Sequence, residues 1–316
     1  MHLLIPFAAA ASEASNAAFN ALTLPYLNRL MPYLALQRTD AGSEYTQSPP
    51  HERAIAACYG LSAADGCIAW AAHDLAHDVT DPPRHGYAQG QAWAQVTPCH
   101  WRVGVDNITM TDPRNLQLSE ADSKALLAAM QPYFQEDGIA LHYDQPAQWF
   151  AQSPLFEDLA TASLDRVIGR NINPWMPESP QAAPLRRLYN EMQMLLYTHP
   201  VNEARQAAGL APVNAFWVSG TGSLKAPSSQ SEVQVVNSLR EHALNEDWPR
   251  WAAAWQLVDS AHLAQAYEHI AAGGQLQLVL CGERNTLHYQ SQNPSFLSKI
   301  KGILGLQPLY SMRGQL

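Results

Sequence analysis

Residues 199–222 read HPVNEARQAAGLAPVNAFWVSGTG and contain a helix signal followed by a strand signal. Pro200 suits the first turn of a helix, because the N–H that proline lacks has no partner there, and Gly209 predicts where that helix ends. The apolar run 215–218 predicts a short buried strand, and the SGTG sequence at 219–222 predicts a loop that leaves this strand. A helix that leads into a buried strand is typical of α/β folds.

The sequence on either side of this segment predicts the same fold class. Strands are predicted at 2–7, 94–97, 101–105, 139–143, 275–281 and 286–290, and helices at 24–34, 52–59, 73–78, 119–134, 184–196, 251–266 and 295–305. The polar stretch 37–47 is interpreted as a break. We therefore predict an α/β core sheet flanked by helices, formed by residues 1–97 and 175–316, with a smaller α+β insert at 98–174.

Composition excludes several classes of function. The chain of 316 residues carries a net charge of -9 and has no basic stripe, which argues against nucleic-acid binding. It contains no apolar stretch long enough for a bilayer, so we predict no membrane partner. Four cysteines without a CxxC pair and a first basic residue at Arg29 favour a cytoplasmic protein without a signal peptide. The low charged fraction of 15% favours a homodimer or a protein partner.

The segment 199–222 resembles a hallmark of the archaeal-type cofactor-independent phosphoglycerate mutases, in which an HPVN motif precedes an apolar strand and a G-x-G sequence. The sequences SPPHERA at 48–54, Asp65-Gly66, the helix 188–196 and LCGE at 280–283 resemble a bacterial group named after the regulatory protein RpfE. The resemblance implies an alkaline-phosphatase-like core and a substrate-domain-like insert. It also implies a link to regulation.

The chain departs from this pattern where the family binds metal. The resemblance implies two divalent metals, held by Asp and His clusters beside a Ser or Thr nucleophile. An Asp-Gly-x-x-Asp turn is expected after the first strand, but residues 8–11 are all alanine. The last core strand should end at Asp followed by His, but it ends in Cys281-Gly282-Glu283. We therefore predict a non-catalytic regulatory or ligand-sensing protein on a degenerate scaffold, with no metal and no cofactor.

A candidate site for a small phosphorylated or carboxylated ligand surrounds the glycine loop, whose backbone N–H groups can bind an anion. Arg205 supplies a guanidinium for such a ligand. The predicted site comprises Asn202, Arg205, Asn214, Ser219, Gly220 and Gly222, with Asn190 and Glu191 lining the cleft. The alternative interpretation is structural: a strand-to-loop turn, an N-capping asparagine and a buried arginine.

Two other functions stay open on sequence alone. An active metal-dependent mutase or phosphoester hydrolase would use Mn or Zn, held by His73, His77 and Glu283 together with Asp106. His73 and His77 have helical i,i+4 spacing, which suits a metal but is also common on solvated helix faces. A dimeric adaptor would dock through the amphipathic helix at 295–305. We expect the tryptophans at 248, 251 and 255 to face the core, and Asp259 to be exposed.

Overall fold

The computed structural model describes residues 1–61, 64–78, 84–225, 232–292, 312 and 314–316. The chain forms two compact units. Unit 1 consists of residues 1–44, 49–59 and 230–316, and unit 2 consists of residues 45–48 and 60–229. The predicted insert, 98–174, lies within unit 2, whereas the predicted helix at 295–305 lies outside the described residues.

Regular secondary structure alternates along the chain. The strands are β1 (His2–Ile5), β2 (Leu34–Asp40), β3 (Ala92–Cys99), β4 (Trp101–Val103), β5 (Ile108–Met110), β6 (Ala140–Gln145), β7 (Gln148–Gln152), β8 (Ala215–Ser223), β9 (Val233–Val235), β10 (Gln277–Cys281) and β11 (Thr286–Ser291). The helices are α1 (Glu13–Asn20), α2 (Pro25–Leu30), α3 (Pro50–Cys58), α4 (Trp70–Ala76), α5 (Glu120–Glu136), α6 (Leu164–Val167), α7 (Ala183–Tyr197), α8 (Pro200–Ala207), α9 (Arg240–Leu244), α10 (Trp248–Val258) and α11 (Ala264–Ala271). No helix within the described ranges combines the length and the apolar character that a bilayer span requires.

Unit 1 is a mixed five-stranded sheet with strand order β2-β11-β10-β1-β9. β1 runs parallel to β10 and β9, and β11 runs antiparallel to β10 and β2. One face of this sheet packs Leu3, Ile5 and Leu278 into a large apolar core that includes Trp251 and Trp255. The core-facing tryptophan stripe predicted for α10 is therefore present, because Trp251 and Trp255 are each 1% exposed.

Unit 2 is built on an antiparallel four-stranded sheet with order β6-β7-β3-β8. α4 packs on β3 and β8, α5 on β6, and α7 on β8. β4 and β5 form a separate two-stranded hairpin. Ser119 caps α5 as its sequence predicts, since its hydroxyl accepts the backbone N–H of Asp122 at 3.0 Å.

The predicted α/β class, a mixed central sheet flanked by helices, is confirmed. Several local predictions are wrong. The helix expected at 24–34 ends at Leu30 before a short 3₁₀ turn, and the strand that begins at Leu34 continues to Asp40, into the stretch 37–47 that was interpreted as a polar break. The SGTG sequence at 219–222 belongs to β8 rather than to a loop. The helix at 251–266 contains a π-helical turn, Asp259–Leu263, and Asp259 is 2% exposed rather than solvated.

Candidate functional site

The carboxyl ends of the parallel strands in unit 1 meet at one edge of the sheet, and open α/β sheets bind ligands at such an edge. β1 is followed by Pro6-Phe7 and four alanines, and β10 is followed by Gly282-Glu283. A crevice of about 390 Å³ lies at this edge. It is lined by Ala9, Ala10, Ala11, Asn16, Glu283, Arg284, Asn285, Gly314 and Leu316.

The turn after β1 is fixed by hydrogen bonds from the core. The N–H of Ala8 donates to the carbonyl of Cys281 at 2.7 Å. The indole N–H groups of Trp251 and Trp255 donate to the carbonyls of Phe7 and Ala8, at 3.0 and 3.3 Å. Phe7 adopts a left-handed backbone with φ of 56°, which is unusual for a residue other than glycine. The turn therefore presents methyl groups and a fixed backbone where the resemblance implies metal-binding carboxylates.

The opposite wall of the crevice follows β10. Glu283 accepts the backbone N–H of Ala11 at 2.8 Å through Oε2. Asn285 donates its backbone N–H to the carbonyl of Leu316 at 3.3 Å and its side-chain amide to the carbonyl of Gln315 at 2.8 Å. In the part of the chain that the structure describes, no group of three or more His, Cys, Asp or Glu side chains is arranged to hold a metal ion.

Cys281, at the end of β10, has the environment of a structural thiol. It is fully buried, and burial raises the pKa of the Cys281 thiol to about 12. A thiol in this state is protonated near neutral pH and is a poor nucleophile. Among the described residues that line this crevice, Glu283 is the acidic side chain, and Asn16, Arg284 and Asn285 are the other polar side chains.

The predicted anion site contains Asn202, which uses its amide within the fold. Its Nδ2 donates to the carbonyls of Leu196 and Val213, at 2.8 and 2.7 Å. Its Oδ1 accepts the N–H of Val213 at 2.8 Å. With 1% exposure, the side chain ties the end of α7 to the segment that enters β8.

Arg205 has a similar arrangement. Its Nε donates to the carbonyl of Ala211 at 3.0 Å, and one terminal nitrogen donates to the carbonyl of Leu116 at 2.5 Å. The other terminal nitrogen lies 3.7 Å from the carboxylate of Asp122. The guanidinium is buried, and its contacts hold α8, the 210–213 segment and the start of α5 together.

The remaining polar members of the predicted site lie at different places in unit 2. Asn214 bonds both backbone groups of Trp101, accepting its N–H at 2.7 Å and donating to its carbonyl at 2.8 Å. Asn190 is exposed on α7, and Glu191 pairs with Arg187 at 3.4 Å on the same helix.

The glycines of the predicted site lie at the far end of β8. A Cβ at Gly222 would stand 2.9 Å from the Cβ of Ala69, and one at Gly220 would stand 3.0 Å from the Cβ of Trp70. The two glycines thus allow β8 to approach the start of α4, and the neighbouring Ser219 is 5% exposed. At about 3.3 Å per residue, Gly220 lies roughly 20 Å along the strand from Asn214. The predicted site is therefore divided between two ends of one strand.

The residues of the alternative metal site are also divided. His73 and His77 lie in unit 2 with ring centroids 4.3 Å apart, and Nδ1 of His77 is 2.9 Å from the carbonyl of His73. Nδ1 of His73 is 3.6 Å from a carboxylate oxygen of Asp74. Asp106 lies in the β4–β5 turn of the same unit and is exposed, whereas Glu283 belongs to unit 1.

A polar pocket that the sequence did not predict lies on the unit 1 sheet. It is lined by His2, Gln37, Arg38, Ala54, Ala57, Cys58, Gln277, Val279, His288, Tyr289 and Gln290. The signal that could have revealed it is the alternation in β11, where Thr286, His288 and Gln290 share one face and Leu287 and Tyr289 lie on the other. The contribution of β2 was not detectable in this way, because that strand was interpreted as a break.

Comparisons with known proteins give weak likenesses. No protein-family model matches the chain, and no curated protein matches it in sequence. A cofactor-independent phosphoglycerate mutase from Thermoplasma acidophilum is 14% identical over 92% of this chain and 90% of that chain, with a TM-score of 0.37. A protein from Pyrococcus horikoshii is 10% identical over 100% of this chain and 97% of that chain, with a TM-score of 0.42.

Proposed function

We propose that this chain is a non-catalytic, ligand-sensing protein on a phosphoglycerate-mutase-like scaffold, with a regulatory role of the RpfE type in the bacterial cytoplasm. Its ligand is a small phosphorylated or carboxylated molecule, and it uses no metal cofactor. One observation carries the proposal: the turn after β1 consists of Phe7 and alanines whose backbone is bonded to Trp251 and Trp255.

Two-metal phosphoryl transfer requires several anionic or imidazole ligands to converge on each ion, so that the attacking and leaving oxygens are both stabilised. Alanine side chains at 8–11 supply no donor atoms. Glu283 is the carboxylate in the lining of the crevice, and one of its oxygens accepts the N–H of Ala11. A single carboxylate cannot replace two clusters of ligands.

The ligand class is supported by the resemblance of residues 199–222 to the mutase hallmark, because the substrate named for that family carries both a phosphate and a carboxylate. A scaffold that has lost its metal ligands can still bind such a molecule, since binding and turnover depend on different groups.

The test pairs metal analysis with a phosphoglycerate mutase assay in manganese, on protein purified without chelator. We expect less than about 0.1 metal ion per chain and no turnover above background. Near-stoichiometric metal with turnover that Glu283→Gln abolishes would refute the proposal. Glu268→Gln on α11, an exposed glutamate of the same unit, is the matched control.

A further inference from the structure

The two faces of the unit 1 sheet differ in polarity. Cross-strand pairing places Val279, His288 and Arg38 in one row, and Gln277 and Gln290 in the next row of the same face. The parallel pairing of β1 adds His2 to the second row and Leu4 to the first. α3 covers the apolar part of this face, where Ala54 packs with Leu4, Val279 and Cys281. The polar rows lie beside α3.

These polar rows and α3 enclose an open pocket of about 450 Å³. We call it the His2–Arg38 pocket; its polar lining residues are His2, Gln37, Arg38, Cys58, Gln277, His288 and Gln290. An adjoining hollow of about 340 Å³ shares His2, Gln277 and Gln290 with it and adds Gln275 and Glu232. A volume of this size accommodates a small metabolite.

An irregularity in β2 brings two consecutive residues into the pocket. The pairing of β11 with β2 shifts between His288, opposite Arg38, and Tyr289, opposite Leu36. Gln37 is therefore the extra residue of a β-bulge, and both Gln37 and Arg38 line the pocket. In a regular strand these neighbours would point to opposite faces, and bulges that redirect side chains are common beside functional sites.

The charges of the pocket favour an anion. A terminal nitrogen of Arg38 lies 3.0 Å from Nε2 of His288. Burial, followed by the nearby Arg38 guanidinium, lowers the pKa of His288 to about 4, so this imidazole is neutral near pH 7 and can accept a hydrogen bond. Arginine has five N–H donors, and this contact occupies one of them.

The carboxylate whose charge acts on His288 is already paired. Asp40 on β2 pairs with Arg53 at 3.0 Å. Within the described ranges, Arg38 forms no ion pair. On the other side of the pocket, Nε2 of His2 lies 3.9 Å from the thiol of Cys58, and burial lowers the pKa of His2. The pocket thus combines one guanidinium, two imidazoles and several amides.

We infer that the His2–Arg38 pocket binds a small phosphate monoester, with Arg38 as its principal contact to the phosphate. A planar guanidinium recognises two phosphate oxygens at once, and glutamine amides can bond both phosphate and the hydroxyl groups of the ester. This assignment gives the ligand of the proposed function a place in the fold. It rests on that function, because it takes the ligand to be bound and released unchanged.

The test is calorimetric titration of the full chain with inorganic phosphate at pH 7 in a low-salt chloride buffer. We expect saturable binding with a dissociation constant on the order of 1 mM. Arg38→Gln should weaken binding at least about tenfold, which is about 1.4 kcal/mol, and Arg38→Lys should fall between it and the unmodified chain. Arg250→Gln, at an exposed arginine of the same unit, should leave binding unchanged. Acetate should bind more weakly than phosphate.

The inference is overturned if phosphate does not saturate, if Arg38→Gln and Arg250→Gln bind it equally, or if acetate binds as tightly. The perturbation of His288 gives a second readout, because an anion beside Arg38 should move its imidazole NMR signals in the unmodified chain and not in Arg38→Gln. Failure of the proposed function would be seen as turnover in manganese, an outcome independent of Arg38. Loss of the phosphate site would leave the non-catalytic proposal standing.

Discussion

Asn202 illustrates how a side chain typical of a ligand site can serve the fold instead. Its side chain forms three hydrogen bonds, to the carbonyl of Leu196 and to both backbone groups of Val213. These bonds give the backbone polar groups partners inside the fold. Arg205 does the same for the carbonyls of Ala211 and Leu116. The HPVN motif is therefore recognisable from sequence, but the geometry of the described residues supports the structural alternative for its polar members.

Asn202→Ala should lower the free energy of unfolding by about 2 to 3 kcal/mol, because it leaves the buried N–H and carbonyl of Val213 without these partners. Urea unfolding at pH 7 measures the change. Asn190→Ala, at an exposed asparagine of α7, should cost less than about 0.5 kcal/mol. Equal effects of the two substitutions would contradict the structural role.

The packing of β8 on α4 explains the second glycine of the SGTG sequence at the scale of elements. Gly222 has φ of 140°, and its missing side chain lets the strand approach Ala69. Gly209, which follows α8, also has a positive φ, 74°, but a Cβ there would meet no atom within 4 Å. Both glycines thus have a positive φ, whereas of the two it is Gly222 that also has no room for a side chain.

Gly222→Ala should destabilise the protein by about 2 to 4 kcal/mol, the sum of backbone strain and a clash with Ala69. Gly209→Ala should cost about 1 kcal/mol, from the backbone alone. The difference between their urea midpoints measures the packing contribution. If Gly209→Ala were the more damaging substitution, the close approach of β8 to α4 would not be needed for stability.

Asp259 joins two elements of unit 1. Its carboxylate accepts the N–H groups of Tyr26 and Leu27, at 3.1 and 2.8 Å, and so caps the start of α2 from a π-helical turn far along the chain. Burial raises the pKa of Asp259, and the two backbone N–H groups act against that shift. The carboxylate therefore satisfies backbone donors that have no other acceptor in the helix.

Asp259→Ala should cost about 2 kcal/mol of unfolding free energy, because the buried N–H of Leu27 and the partly buried N–H of Tyr26 lose their acceptor. Asp247→Ala removes an ordinary N-cap of α10, whose side chain accepts the N–H of Arg250 at 3.2 Å, and should cost about 1 kcal/mol. Thermal unfolding of both variants compares their losses of stability. An unchanged stability of Asp259→Ala would show that water replaces the carboxylate as acceptor.

Elements with local signals were predictable and elements defined by distant contacts were not. The capping Ser119, the apolar stripe of α7 and Pro200 identify three helices from short segments. β2 was missed because it is a polar edge strand with a bulge, which disrupts the alternation. The role of Asp259 was missed because its partners lie more than 230 positions earlier in the chain.

At the scale of the whole molecule, the histidines link the stability of both units to pH. Burial is the largest cause of a lowered pKa for each of five histidines: His2, His85, His100, His142 and His288. His2 and His288 lie in unit 1, and the other three lie in unit 2. Each favours the neutral imidazole when folded, whereas the unfolded chain protonates its histidines at their ordinary pKa.

Stability should therefore fall as the pH falls. For His288, the pKa is about 4 in the folded protein against an ordinary 6.5, so its contribution is fully present above pH 6.5 and is lost progressively toward pH 4. Because this side chain is half-buried, its share is about 1 to 2 kcal/mol after solvent screening. Urea unfolding of the full chain at pH 7.5 and 5.0 measures the loss. His288→Gln should reduce this loss of unfolding free energy, and His242→Gln on α9 should not. Equal losses in the two variants would show that His288 is not the group that couples stability to pH.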